Sequence, residues 1–155
     1  MISLFPMIPL AYFGIRLSII DFKAHRLPNR LVGWFAVIEV FLLGFLSWDA
    51  EDLARLMTAL GVGVASTTAY LLLYFLSRGA LGMGDVKFAF PLGLCVGWYS
   101  ANHWLVAIFV SFLFAGLVAV IGLATKRMTR KSRLAFGPYM FLGTSMVCGF
   151  VIFSQ

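Results

Sequence analysis

The sequence predicts an all-α fold: one domain over residues 1–155, built as a polytopic membrane bundle of about six transmembrane helices. Three observations carry this. Hydrophobic residues make up 62% of the 155-residue chain and charged residues only 12%, against about 25% charged in an ordinary soluble domain. The mean hydropathy is +0.98, and the apolar residues fall in blocks near ~20 residues, the length a helix needs to cross a bilayer. Most charges lie between the blocks, basic connections alternating with one that is net acidic and one that carries no Lys or Arg.

The first span, about 3–21, is apolar as far as Ile20. It lacks the basic start and the small-residue cleavage site of a signal peptide, so it is expected to be retained. Pro28 stops the connection that follows, and Asn29 is placed as the N-cap of a second span over about 30–48. Asp49, Glu51, Asp52 and Arg55 form a net acidic connection before the third span, about 54–76. The fourth, about 86–99, is short. As a helix, Val86 to Trp98 rises only ~20 Å against a ~30 Å hydrocarbon core. One remedy is for Gly82-Met83-Gly84-Asp85 to enter the membrane as irregular backbone, which is tolerated where protein or a wet cavity satisfies it. Within this span Gly93-x-x-x-Gly97 reads as a close helix–helix contact. A connection without Lys or Arg leads to the fifth span, about 103–124, and the sixth covers about 136–153.

Three basic groups alternate with the two other connections: Lys23, Arg26 and Arg30; Arg78 and Lys87; Lys126, Arg127, Arg130, Lys131 and Arg133. The positive-inside rule assigns these to the cytoplasm and places both termini outside. Topology thus accounts for the net charge of +6 and the pI of about 9.8. The partner this composition implies is a lipid bilayer, and no nucleic acid is required. Cys95 and Cys148 stand apart inside apolar segments, and no C-x-x-C pair is present. They read as small core residues. His25 and His103 fall in connections, so neither a metal site nor a cofactor is expected.

With Asp49, Glu51 and Asp52 outside and Glu39 near mid-span, only Asp21 and Asp85 remain for the basic face. One ends the first span and the other begins the fourth, at similar depth. Taken singly, Asp85 could cap a helix and Asp21 could sit at the headgroups. As a pair they suit hydrolysis of an amide, which needs one carboxylate to activate water and one carboxylic acid to protonate the carbonyl oxygen. The helix ends suggest Asp85, near a positive dipole end, as the base and Asp21, near a negative end, as the acid. Gly82 and Gly84 allow close backbone approach beside Asp85, and Lys87 either steadies the carboxylate or snorkels to headgroups. Arg16 and Glu39, both inside spans, are expected to pair.

These residues carry a family resemblance. D-F-K-A-H-R-L-P-N-R-L at 21–31, G-M-G-D-V-K at 82–87 and A-F-G-P-Y at 135–139 resemble the type IV prepilin peptidases over nearly the whole chain. The resemblance implies a membrane aspartic endopeptidase with Asp21 and Asp85 as catalytic residues. It would cleave short basic leaders, after a glycine, from prepilins or pseudopilins at the cytoplasmic face of a bacterial inner membrane. Pro28, Asn29, Gly82, Gly84 and Lys87 then support the motifs, and Phe136, Gly137 and Pro138 match a C-terminal motif with a structural or substrate-lining role. Long members of the family add a four-cysteine zinc region and N-methylation; this chain resembles a short, peptidase-only form. The competing reading is a small transporter or channel using Asp21, Asp85, Arg16 and Glu39 as a proton or ion path.

Overall fold

A computed structural model describes residues 4–77, 81–126, 129 and 134–154. Six α-helices are present among the described residues: α1 (Met7–Ala24), α2 (Asn29–Asp49), α3 (Leu53–Leu76), α4 (Met83–Tyr99), α5 (Trp104–Ala124) and α6 (Gly137–Phe153). A single 3-10 turn, Ala101–His103, leads into α5. The fold is an all-helical, multi-pass membrane bundle. Three helical stretches, Asn29–Asp49, Leu53–Leu76 and Ala101–Ala124, are long and apolar enough to cross a bilayer. The other three are shorter or more charged than the expected spans: α1 carries Arg16, Asp21 and Lys23, while α4 and α6 have 17 residues each.

At the ends of the helices the local chemistry is simple. Pro6 precedes the first turn of α1, where its missing N–H costs nothing. Past Asp21 the helix runs one further turn, and His25 closes it in the left-handed region at φ 50°, its N–H donating to the Asp21 carbonyl at 2.7 Å. That reversal aims Leu27, Pro28 and Asn29 back toward the start of α4. Asn29 is the first residue of α2 and its side chain makes no capping bond; extended Pro28 occupies the cap position. Asp52 does cap α3, accepting from the Arg55 N–H at 3.0 Å.

Helix α4 is the centre of the bundle, in contact with each of the other five. Thirteen of its 17 residues are buried, against four of 21 in α5. Its most extensive partner is α3, where the glycine pair works as expected. A Cβ on Gly93 would fall 2.9 Å from the Gly63 Cα, and one on Gly97 would fall 2.8 Å from the Ala59 Cα. The backbones therefore meet along a groove only hydrogen can fill. At its far end Arg55 donates through Nε to the Trp98 carbonyl at 2.9 Å and lies 4.4 Å over the Trp98 ring. The outer faces are apolar and bare: Trp34, Phe41, Phe45 and Trp48 on α2, Phe109, Leu113 and Val120 on α5. These are the surfaces that lipid tails solvate.

Two expectations inside the bundle are corrected. Gly82-Met83-Gly84-Asp85 is not irregular backbone: Gly82 is the cap, with φ −79° and ψ 144°, and the helix begins at Met83. Arg16 and Glu39 do not pair. Arg16 donates to the Tyr12 hydroxyl at 2.8 Å, one helical turn away on its own helix. Glu39 is fully buried, and Cys95 Sγ donates to its Oε1 at 3.2 Å. A neutral thiol thus satisfies part of what a distant guanidinium was expected to satisfy. Most of the third basic group, and Arg78 of the second, lie outside the described residues.

Candidate active site

Asp21 and Asp85 are both buried, with 5% and 8% of their surface exposed. Helices α1 and α4 touch, and the two carboxylates lie within electrostatic range of each other. Their supports are alike. Asp21 Oδ2 accepts from the Gly137 N–H at 2.9 Å, and Asp85 Oδ2 accepts from the Gly82 N–H at 3.1 Å. In each carboxylate one oxygen is held by a backbone donor at a helix start, where N–H groups lack partners of their own.

The Gly137 bond joins residues 116 apart in sequence and gives the Phe136-Gly137-Pro138 motif a definite task. Gly137 opens α6, with Pro138 beside it in the first turn. A Cβ on Gly137 would fall 2.9 Å from Asp21 Oδ2, so a side chain there would push on the carboxylate. Phe136 packs on Tyr70 and Phe112 at ring-centroid distances of 6.1 and 4.7 Å, fixing the approach of α6.

This geometry removes the expected asymmetry between the two acids. Asp21 does sit in the last turns of α1, but its carboxylate also lies on the N-terminus of α6. Two helix dipoles of opposite sense meet there. Asp85 sits in the first turn of α4. The helix ends therefore set no order between base and acid.

The motif residues leading into and opening α2 interlock with those that open α4. Gly84 faces Leu27, whose Cβ would lie 3.0 Å from a Cβ on the glycine. Lys87 Nζ donates to Asn29 Oδ1 at 3.1 Å. Lys87 is accordingly tied to Asn29, and Asn29 acts as a cross-link between α2 and α4 instead of a helix cap. His25 adds its charge interaction to Asp21. Gly82 and Gly84 have helical or extended φ, so their contribution is space: a Cβ on Gly82 would lie 3.1 Å from Asp85 Oδ2.

Reading the sequence singled out neither Leu27 nor Tyr70. Leu27 fills the gap left by Gly84, and buried Tyr70 of α3 is within electrostatic range of Asp85. Tyr70 shares α3 with Ser66, Thr67, Thr68 and a second tyrosine, Tyr74, so no sequence signal set it apart. Arg16 and Glu39, named for an ion path, are engaged elsewhere with Tyr12 and Cys95. Among the described residues no three His, Cys, Asp or Glu side chains converge on a possible metal position.

Two buried, mutually interacting carboxylates, each anchored by a backbone N–H, are equipped for general acid–base attack of water on an amide. Comparison with curated proteins and with solved structures returns no match. The model of the type IV leader peptidase family does match, over residues 8–154. On that near-complete correspondence the chain belongs to the type IV leader peptidase family, a family of aspartic-type endopeptidases.

Proposed function

We propose that this single-domain protein removes short basic leaders from type IV prepilins or pseudopilins at the cytoplasmic face of a bacterial inner membrane. Asp21 and Asp85 are its catalytic pair. The observation that carries the assignment is the pairing itself: acids from the two motifs, 64 positions apart in sequence, lie within charge range at one end of the bundle.

One proton is shared between the two carboxyls, because like charges at close range do not both ionise. The ionised group takes a proton from water as the oxygen attacks the peptide carbonyl. The protonated group gives its proton to the carbonyl oxygen, which forms a neutral tetrahedral diol. Collapse of the diol returns a proton to the leaving nitrogen, breaks the C–N bond and restores the shared proton. Gly82 and Gly137 hold each Oδ2, so Oδ1 of each residue is the atom directed to water or substrate. Gly84 against Leu27, and Lys87 against Asn29, keep the start of α4 in register with the segment after α1.

The test is incubation of purified protein in detergent with a prepilin peptide bearing a basic leader. Wild type is expected to cleave, and Asp21→Ala and Asp85→Ala are each expected to lose cleavage while staying folded at the assay temperature, their melting temperature shifted by only a few degrees through the lost bonds to the Gly137 and Gly82 N–H groups. Retention of cleavage by either variant would remove that aspartate from the mechanism.

A further inference from the structure

Two pairs of helices meet backbone to backbone in this bundle, and a cavity lies where the pairs come together. Helices α3 and α4 form one pair through Gly63, Gly93 and Gly97. Helices α5 and α6 form the other: a Cβ on Gly143 would fall 2.8 Å from the Ala107 carbonyl oxygen and 2.9 Å from the Ser111 nitrogen. The cavity has a volume of about 20 Å³ and is bordered by residues of all four helices. Its side-chain hydroxyls come from Ser66 and Tyr70 of α3, Ser111 of α5 and Thr144 of α6. None of these residues is more than 5% exposed.

Two of the four stand apart from most hydroxyls in the helices. Thr58, Thr67, Thr68, Ser111 and Thr125 each donate to a carbonyl one turn back, at 2.8 or 2.9 Å. That bond is the usual local partner for a hydroxyl in a helix. Ser66 and Thr144 do not make it, and neither hydroxyl bonds to any other described residue. Gly93 leaves room for the first of them: Ser66 Oγ lies 2.7 Å from where a Cβ on that glycine would stand. A buried hydroxyl without a partner is costly, and two on one cavity point to a shared ligand. The volume exceeds the ~10–15 Å³ that a water requires, and the hydroxyls match its two to four polar partners. No charged side chain borders the cavity, so an ion would find no counter-charge there.

We propose that this cavity is a binding site for one water molecule, which bridges Ser66 and Thr144 and so pins α6 to α3. The hydrogen-bond inventory closes. The water accepts the protons of Ser66 and Thr144 and donates to Ser111 Oγ, which has given its own proton to Ala107. The site thereby fastens the helix pair whose Gly137 holds Asp21 to the pair that bears Asp85. It stands whether or not those aspartates are catalytic, and its test needs no cleavage assay.

The sign of one substitution decides the matter. Thr144→Val keeps the shape of the side chain and removes the hydroxyl. Were that hydroxyl without a ligand, its loss would leave the melting temperature in detergent unchanged or raised. With a water bound to it, the same change strips the water of a partner, and the melting temperature should fall by a few degrees. Ser66→Ala should do likewise. The double variant should melt no lower than the weaker single variant, because either change already breaks the bridge. Crystals of the wild-type protein that show ordered solvent should place a peak within ~3.2 Å of both Ser66 Oγ and Thr144 Oγ1. Thr144→Val melting at or above wild type, losses that add in the double variant, or a cavity without that peak would each overturn the proposal.

Discussion

Gly137→Ala offers a direct test of how Asp21 is held. The new Cβ would stand 2.9 Å from Asp21 Oδ2 and 3.4 Å from its Cβ and Cγ. Ordinary contact begins near 3.4 Å, so the carboxylate and the start of α6 must separate by about 0.5 Å. The Gly137 N–H to Oδ2 bond, now 2.9 Å, then stretches past the ~3.2 Å limit of a good N–H···O bond. A hydrogen bond to a charged group contributes ~1.5–3 kcal/mol, and alanine recovers ~0.8–1.0 kcal/mol over glycine in a helix. The net cost is therefore about 1 kcal/mol, a shift of a few degrees in melting temperature. Catalysis should suffer more. If ~1 Å of misplacement costs on the order of 10²-fold, half that displacement lowers kcat about tenfold with little change in KM. The assay is peptide cleavage in detergent beside a matched control on the same helix, Gly149→Ala, whose Cβ would meet nothing within 4 Å. That control should cleave normally and melt slightly higher. Wild-type kcat for Gly137→Ala, at an unchanged melting temperature, would refute the assignment of Gly137 as the anchor of Asp21.

Further outcomes follow from other contacts. Gly93→Ala brings a Cβ to 2.9 Å from the Gly63 Cα, and overpacking of this kind costs ~1–3 kcal/mol; thermal denaturation should show the loss, while Gly116→Ala, with nothing within 4 Å, should melt no lower than wild type. Arg55→Ala removes both the bond to the Trp98 carbonyl and the stacking over its ring, for a loss of ~1–2 kcal/mol. Its kcat should hold, because Trp98 lies ~20 Å along α4 from Asp85. Lys87→Met breaks the exposed bond to Asn29; stability should change by less than ~1 kcal/mol, and a double-mutant cycle with Asn29→Ala measured by melting should show the coupling between them. Absence of coupling would mean that the pair contributes nothing to the register of α2 and α4.

Apolar block length made the bundle legible. The middle spans were placed within a residue or two because their ends coincide with Pro28, with the Asp49–Asp52 acids and with the polar connection before Trp104. The first helix was misjudged at its C-terminal end, where Asp21 was taken as the end of the span. A charge does not interrupt backbone hydrogen bonding, and the helix runs to Ala24, where His25 reverses the chain. At the fourth span, the shortness of the apolar run suggested irregular backbone over Gly82-Met83-Gly84-Asp85, whereas the helix begins at Met83. Asp85, three residues after the cap, reaches back to the Gly82 N–H and supplies the start that the glycines alone do not.

The two aspartates were readable because a carboxylate in an apolar chain needs a reason to be there. What supports them was not. The Gly137 bond to Asp21 depends on how α6 packs against α1, and helical periodicity carries no information on contacts so distant in sequence. Arg16 and Glu39 show the same limit from the other side. Opposite charges suggested a pair, yet a neighbouring phenol and a buried thiol are the partners that proximity supplied.

The near-complete enclosure of α4 bears on how the protein can diverge. A helix with a lipid-facing side accepts almost any apolar substitution along that side, and α5 has such freedom over most of its circumference. Helix α4 has little: Met83 and Lys87 in its first turns are exposed, but from Phe88 to Tyr99 every residue except half-buried Phe90 is buried against a neighbour. A saturation library should therefore show tolerance that rises and falls with the helical turn in α5, but near-uniform intolerance in α4 from Phe88 to Tyr99. Drift in sequence is thereby channelled to the rim of the bundle, while the helix bearing Asp85 stays immobile at its hub.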